Sequence, residues 1–186
     1  MLIITKDEKT SKIIKILTDS HGILSNPSDI PFPYPTHIIQ CSAGYDFSVY
    51  LDRNGSVFTM GTGTRGELGV GLIRRVDEPV LVELLEGIRI KKVECGGWHC
   101  VVLTETNDVY TWGWNRNGQL GKDKDSTEMY PTLVDIFEEF GSEIDDVSDI
   151  IATSNTSTII IRTDSGAQMK YSMGKQDEKY DNFDLD

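Results

Sequence analysis

Residues Ala43–Gly71 read AGYDFSVYLDRNGSVFTMGTGTRGELGVG, and residues Cys95–Asp123 read CGGWHCVVLTETNDVYTWGWNRNGQLGKD. The two stretches align without a gap at a shift of 52. Identities fall at Gly44/Gly96, Val49/Val101, Leu51/Leu103, Val57/Val109, Thr59/Thr111, Gly61/Gly113, Gly66/Gly118, Leu68/Leu120 and Gly69/Gly121. The register persists downstream, pairing Pro79 with Pro131 and Leu81 with Leu133. Identity that holds through loop positions marks one structural unit used twice. A third, degenerate copy spans residues 147–174: Ile159-Ile160-Ile161 stands where Val101-Val102-Leu103 stands, and Tyr171-Ser-Met-Gly174 matches Tyr110-Thr-Trp-Gly113.

Within a unit the apolar runs are short and rich in β-branched and aromatic residues. Phe47–Leu51 and Val57–Met60 flank Asp52-Arg-Asn-Gly55, and Asn-Gly between apolar runs signals a hairpin because Gly accepts positive φ. Further strands are expected over Val80–Leu84 and Arg89–Glu94. Four short strands per period of about 40–50 residues is the pattern of a propeller blade. The fold class is therefore all-β, a partial β-propeller of about two to three four-stranded blades. The organisation expected is an N-terminal hairpin with a Pro-rich connector (1–37), repeats over 38–174 (38–88, 89–141 and the degenerate 147–174), and an acidic tail (175–186).

Composition narrows function. The chain has 186 residues, 38% hydrophobic and 26% charged, with a formal net charge of −12. That charge opposes general binding to nucleic-acid phosphates or an anionic membrane. The acid concentrates in Asp135–Asp146 and Asp177–Asp186, which read as solvated surface. Three cysteines (Cys41, Cys95, Cys100) make a poor disulfide framework. No run approaches the ~18 apolar residues of a membrane span. An intracellular location, in nucleus, cytoplasm or both, is expected.

Two segments carry a family likeness: Cys95-Gly-Gly-Trp-His-Cys-Val-Val-Leu-Thr104 and Val109-Tyr-Thr-Trp-Gly-Trp-Asn-Arg-Asn-Gly-Gln-Leu-Gly121. Together they resemble the repeat of the regulator-of-chromosome-condensation family, in look nearest to a small animal member of it. The resemblance covers Ile38 to about Thr163 and implies kinship to a seven-bladed propeller. It implies that Gly96, Gly97, His99, Gly113, Gly118, Leu120 and Gly121 are architectural, with Gly44, Gly61, Gly66, Leu68 and Gly69 matching in the first copy. Phe47 stands where the family has His. The founding member promotes nucleotide exchange on a small nuclear GTPase through loops that have no match here, so exchange does not follow from fold.

Gly61-Thr-Gly-Thr-Arg-Gly66 fits the dinucleotide fingerprint G-x-G-x-x-G, but Glu67-Leu-Gly-Val-Gly71 after it is a poor helix. The stretch reads as a repeat turn, and no cofactor is expected. Cys95, His99 and Cys100 are zinc-ligand types, yet their counterparts Ala43, Phe47 and Ser48 bind nothing, so a packed interior is expected. Trp112 aligns with Met60 and Met173 and reads as core between blades. Trp98 and Trp114 align with polar Asp46 and Thr62 and read as exposed contacts. With Asn115, Arg116, Asn117 and Arg65 they form the expected protein-binding surface. No catalytic constellation is legible, and the chain reads as a non-catalytic adaptor. The resemblance implies a Jumonji-C oxygenase as partner, with links to chromatin. The alternatives are a nucleotide-exchange regulator of a small GTPase, or an incomplete propeller fragment without independent function.

Overall fold

In a computed structural model, residues 2–6, 11–15, 28–121, 127–136, 144–163 and 166–174 are described. The acidic tail 175–186 and most of the run Asp135–Asp146 lie outside them.

The hairpin signals give antiparallel pairs wherever they occur. Strands β1 (Leu2–Lys6), β2 (Ser11–Lys15) and β3 (Ser28–Asp29) make a small sheet of their own. Next come β4 (Ile38–Ala43), β5 (Phe47–Asp52), β6 (Val57–Thr62) and β7 (Arg75–Leu81), hydrogen-bonded in that order as a four-stranded meander. A second meander repeats it with β8 (Ile90–Cys95), β9 (His99–Thr104), β10 (Val109–Gly113) and β11 (Glu128–Leu133). The third sheet holds β12 (Ile144–Ala152), β13 (Thr156–Thr163) and β14 (Gln168–Gly174). These are blades: two of four strands, and a third with three strands among the described residues.

The strand expected over Arg89–Glu94 does exist, but it opens the second blade as its innermost strand instead of closing the first. The strand expected at Val80–Leu84 begins earlier, at Arg75, and contains Pro79. A proline is tolerated there because β7 is the outer edge of its sheet. Val82 onward turns through one short 3-10 segment, Glu83–Leu85, into the next blade.

Both faces of each inner sheet are covered, which is why β5 and β9 are buried at every position. Val49, Leu51 and Val57 on one side of the first blade pack against Cys100, Val102 and Trp112 of the second. Val101, Leu103 and Val109, on the other side of the second blade, pack against Ile150, Ile159, Ile161 and Met173 of the third. The two sets alternate along each strand, as side chains on a pleated strand must. On the far side of the first blade the Pro-rich connector packs over Tyr50 and Phe58. Phe32 meets Tyr50 and Phe58 edge-to-face at centroid distances of 5.4 and 5.5 Å, and Tyr34 meets Phe58 at 5.5 Å.

The innermost strands are partly polar because they face one another. Gln40 clasps Val93, its Nε2 donating to the Val93 carbonyl at 2.8 Å and its Oε1 accepting the Val93 N–H at 3.1 Å. Lys92 does the same work one blade on, donating to Asp149 Oδ1 at 2.6 Å and the Ile150 carbonyl at 2.9 Å.

Candidate functional site

In a meander, the turns joining strands one to two and three to four fall on one face. In the first blade these are the Gly44–Asp46 turn and the 63–74 loop. In the second they are the Gly96–Trp98 turn and the loop that starts at Trp114. The equivalent turns are linked blade to blade. The Tyr45 N–H donates to the Gly97 carbonyl at 3.0 Å, and the Gly97 N–H donates to the Ser154 carbonyl at 3.1 Å. This fixes the relative height of the three turns, so side chains projecting from them share one surface.

A small glycine beside each turn admits an aromatic or imidazole ring on the following strand. A Cβ on Gly96 would collide with His99 Cε1 and with the Thr153 carbonyl oxygen. Gly44 bears the same relation to Phe47, so Phe and His are interchangeable fillings at this position. In the third blade Thr153 replaces the glycine and Thr156 replaces the ring, and their hydroxyls meet at 2.6 Å. Gly113, at φ +104°, passes so close to the Trp98 carbonyl that a Cβ would sit 2.5 Å from it. Gly61 and Gly174 sit equivalently, at φ +118° and +102°.

His99 is fully buried. Its Nε2 lies 2.9 Å from Ser157 Oγ, whose hydroxyl donates to the Gln119 carbonyl at 2.7 Å; the imidazole therefore carries its proton on Nε2. Burial lowers its pKa from 6.5 to about 4, which keeps it neutral. It is a strut between blades. Among the described residues no group of three or more His, Cys, Asp or Glu is arranged to hold a metal ion. The Gly61–Gly66 segment enters turn structure through Gly71, with no helix behind it. No helix of the described residues is long and apolar enough to cross a membrane.

The loop after the third strand is anchored alike in both full blades. Leu68 and Leu120 are its fully buried anchors. Arg65 N–H donates to Glu67 Oε2 at 2.6 Å, as Asn117 N–H donates to Gln119 Oε1 at 2.9 Å. Gly66, Gly69, Gly118 and Gly121 all hold positive φ in these turns. Glu67 thus occupies a glutamine's place, and burial raises its carboxyl above the ordinary range, against the opposing pull of the Arg65 N–H and guanidinium. Asn115, expected at the contact surface, is buried: its Oδ1 accepts the Leu120 N–H at 2.9 Å and closes the loop. A loop asparagine reads as exposed in sequence, but here its carbonyl substitutes for a backbone acceptor.

The remaining surface residues converge. Trp98 stands between Tyr45, at a centroid distance of 4.7 Å, and Trp114, at 5.1 Å. The Arg65 guanidinium lies 4.7 Å from the Trp98 ring centre and 5.6 Å from that of Trp114. Both indoles are half-buried, Arg65 is 43% exposed and Tyr45 58%. Arg116 is exposed beside them, and Asn117 is half-buried. Tyr45 was not legible as a member: its counterpart in the second copy is Gly97, and only the turn-to-turn bonding brings it against Trp98.

Models described as the regulator of chromosome condensation (RCC1) repeat match residues 54–103 and 107–161, and, in a second form, residues 38–67 and 90–119. The first pair alone spans more than half the chain. This chain belongs to the RCC1 repeat family. It is 43% identical over 90 residues to RCC1 domain-containing protein 1 of Mus musculus, and 44% over 81 residues to the Homo sapiens protein of that name. Those alignments cover 48% and 44% of this chain but 24% and 22% of the relatives, so the match spans about a quarter of their length. The ultraviolet-B receptor UVR8 of Arabidopsis thaliana is 35% identical over 102 residues, 54% of this chain and 23% of that protein. Among solved structures, yeast RCC1 (Prp20) bound to Kap60 superposes with a TM-score of 0.66 at 26% identity, covering 89% of this chain and 36% of that one. The RCC1 blades described above therefore correspond to part of a propeller.

Proposed function

We propose that this RCC1-repeat chain is a non-catalytic protein-binding module that engages its partner through the face bearing Tyr45, Arg65, Trp98, Trp114 and Arg116. The observation that carries this is the Arg65–Trp98–Trp114 stack. Trp, Tyr and Arg supply most interface hot spots. Here they are held in place by one another before any partner arrives, which lowers the ordering cost of binding. Solved relatives bind proteins: yeast RCC1 (Prp20) is bound to Kap60, and Prp20p of Saccharomyces cerevisiae has binding properties to Gsp1p and histones. The partner classes to assay are a Jumonji-C oxygenase, from the resemblance noted in sequence, and a small GTPase, from the similarity to Prp20p. An intracellular, chromatin-linked adaptor role is the setting we favour.

The test is a calorimetric titration of purified candidate partners into the wild-type chain and into a Trp114→Ala/Arg116→Ala double variant. Arg89→Ala is the control, because Arg89 pairs with Glu105 at the opposite face. Affinity falling roughly 10-fold or more in the double variant, and unchanged in the control, supports this face. Unchanged affinity in the double variant removes it. Accelerated nucleotide release from a GTPase would move the reading to exchange regulation.

A further inference from the structure

Cys95 and Cys100 face each other across β8 and β9. At the turn between these strands the Gly96 N–H donates to the His99 carbonyl at 2.9 Å. Hydrogen-bonded and non-hydrogen-bonded pairs alternate along an antiparallel ladder, so the next pair, Cys95–Cys100, is of the close, non-hydrogen-bonded kind. Accordingly the Cys95 N–H turns away from Cys100 and donates to Ser42 Oγ on the neighbouring blade at 2.9 Å. The two sulfurs lie 3.7 Å apart. Such pairs set their Cα atoms about 4.5 Å apart, within the roughly 4.4–6.8 Å that a disulfide spans. The backbone therefore needs little change for the bond to form.

Access comes from one side. Both cysteines are buried, Cys100 completely and Cys95 at 8% exposure, and Cys95 is among the residues lining a pocket of about 240 Å³ where the inner strands of three blades end. Gly44, Gly96, Gly97 and Thr153 form much of the wall, and their small size leaves the opening. Cys41 is the third cysteine near this point; it is half-buried, and burial first, then Cys95, pushes its thiol up to about 11.

We propose that Cys95 and Cys100 form an oxidisable dithiol, converted by hydrogen peroxide entering the pocket into a disulfide within the second blade and restored by dithiol reductants. The Cys95 thiolate attacks one peroxide oxygen; the O–O bond breaks, leaving a sulfenic acid on Cys95 and, after proton uptake, one water. Cys100 then gives up its proton and its sulfur attacks the Cys95 sulfur, expelling the hydroxyl as a second water. Two thiols are oxidised and one peroxide is reduced to two waters. Burial raises the Cys100 thiol, so this second step accelerates as pH rises. The reaction also removes the S–H that Cys100 directs at the Glu67 carbonyl at 3.6 Å, in the loop that carries Arg65.

The experiment treats the whole chain with hydrogen peroxide, blocks remaining thiols with iodoacetamide in denaturant, and maps tryptic peptides by mass. Peptide Val93–Arg116 contains both cysteines and excludes Cys41. The expected result is that this peptide appears unalkylated and two hydrogens lighter than its reduced form, and that dithiothreitol before blocking restores two alkylation sites. Cys41→Ser should leave that outcome intact. A Val93–Arg116 peptide still doubly alkylated after treatment, one cross-linked to the Cys41 peptide, or one carrying added oxygens that dithiothreitol does not remove, overturns the proposal.

Discussion

The indole Nε1–H of Trp112 donates to the backbone carbonyl of Glu67 at 2.8 Å, from the third strand of one blade to the loop of the blade before it. At the next interface Met173 takes the tryptophan's place and cannot donate. There the Ser157 hydroxyl reaches the equivalent carbonyl, that of Gln119, at 2.7 Å. Each loop carbonyl is captured by the following blade: that of Glu67 by the Trp112 indole and the Cys100 thiol, that of Gln119 by Ser157, which stands at the strand position of Cys100. These bonds hold the loops that display Arg65 and Trp114.

Trp112→Phe deletes this donor from a fully buried site and leaves a small void. A lost buried hydrogen bond together with lost packing should lower unfolding stability by about 2 kcal/mol. Urea titration followed by circular dichroism measures it. Ser157→Ala should cost a comparable amount, because it leaves both the Gln119 carbonyl and His99 Nε2 without this hydroxyl.

Glycine at the turn is a packing requirement where the ring lies over it and a conformational one elsewhere. Gly96→Ala drives a Cβ into a backbone carbonyl as well as into His99. Overpacking against backbone should cost about 3 kcal/mol or more. Gly87→Ala, at φ +83° with nothing within 4 Å of the added carbon, should cost only about 1 kcal/mol from the left-handed backbone. Paired denaturation curves separate the two; equal costs would show that the ring does not bear on Gly96.

Neutral His99 makes stability depend on pH. Its folded pKa of about 4 lies below the ordinary 6.5, so the unfolded chain binds its proton more tightly. The contribution is complete above pH 6.5 and is lost as pH falls from there toward 4. Between pH 7 and pH 5 the loss is about 2 kcal/mol. His99→Phe, which copies Phe47 in the first blade, should flatten that part of the profile. An unchanged difference between the two pH values in the variant would assign the dependence to other groups.

Glu67→Gln should act in the opposite sense. Burial raises the folded pKa of this carboxyl, so its favourable contribution is confined to low pH and is lost as pH rises through that value. At pH 7 the buried charge is a cost that the Arg65 N–H at 2.6 Å and the Arg65 guanidinium at 4.0 Å only partly offset. The glutamine variant should be the more stable at pH 7, with the gain shrinking as pH falls and the carboxyl takes up its proton. Thermal unfolding at several pH values reads it directly.

The blade was legible because its invariant positions are loop residues under geometric constraint: Gly61, Gly113 and Gly174 at one crossing, Leu68 and Leu120 at another. Strand order within the blade was not. Ile90–Cys95 carries Lys91, Lys92 and Glu94, and only contact with the neighbouring inner strands, as between Lys92 and Asp149, explains charge on a central strand. Ile38–Ala43 did not stand out as a strand because Gln40 and Ser42 are polar where they meet the neighbouring inner strand. At the candidate site, Trp98, Trp114 and Arg65 were readable because aromatic residues replace polar ones between copies. Asn115 misled because a polar loop residue can point inward as an acceptor. The Cys95–Cys100 pairing was hidden because alternation along one strand says nothing of register across a tight turn; the pairing follows only once Gly96 is set opposite His99.

The central claim is that one face, the one bearing Tyr45, Arg65, Trp98 and Trp114, takes the partner. Hydroxyl-radical footprinting of the chain alone and in complex with a bound partner tests it most directly. The account predicts protection of Tyr45, Trp98, Trp114 and Arg116, with the opposite turns at Arg53–Gly55 and Glu105–Asp108 unchanged. Protection at those opposite turns, with Trp98 and Trp114 as reactive as in the free chain, would contradict it.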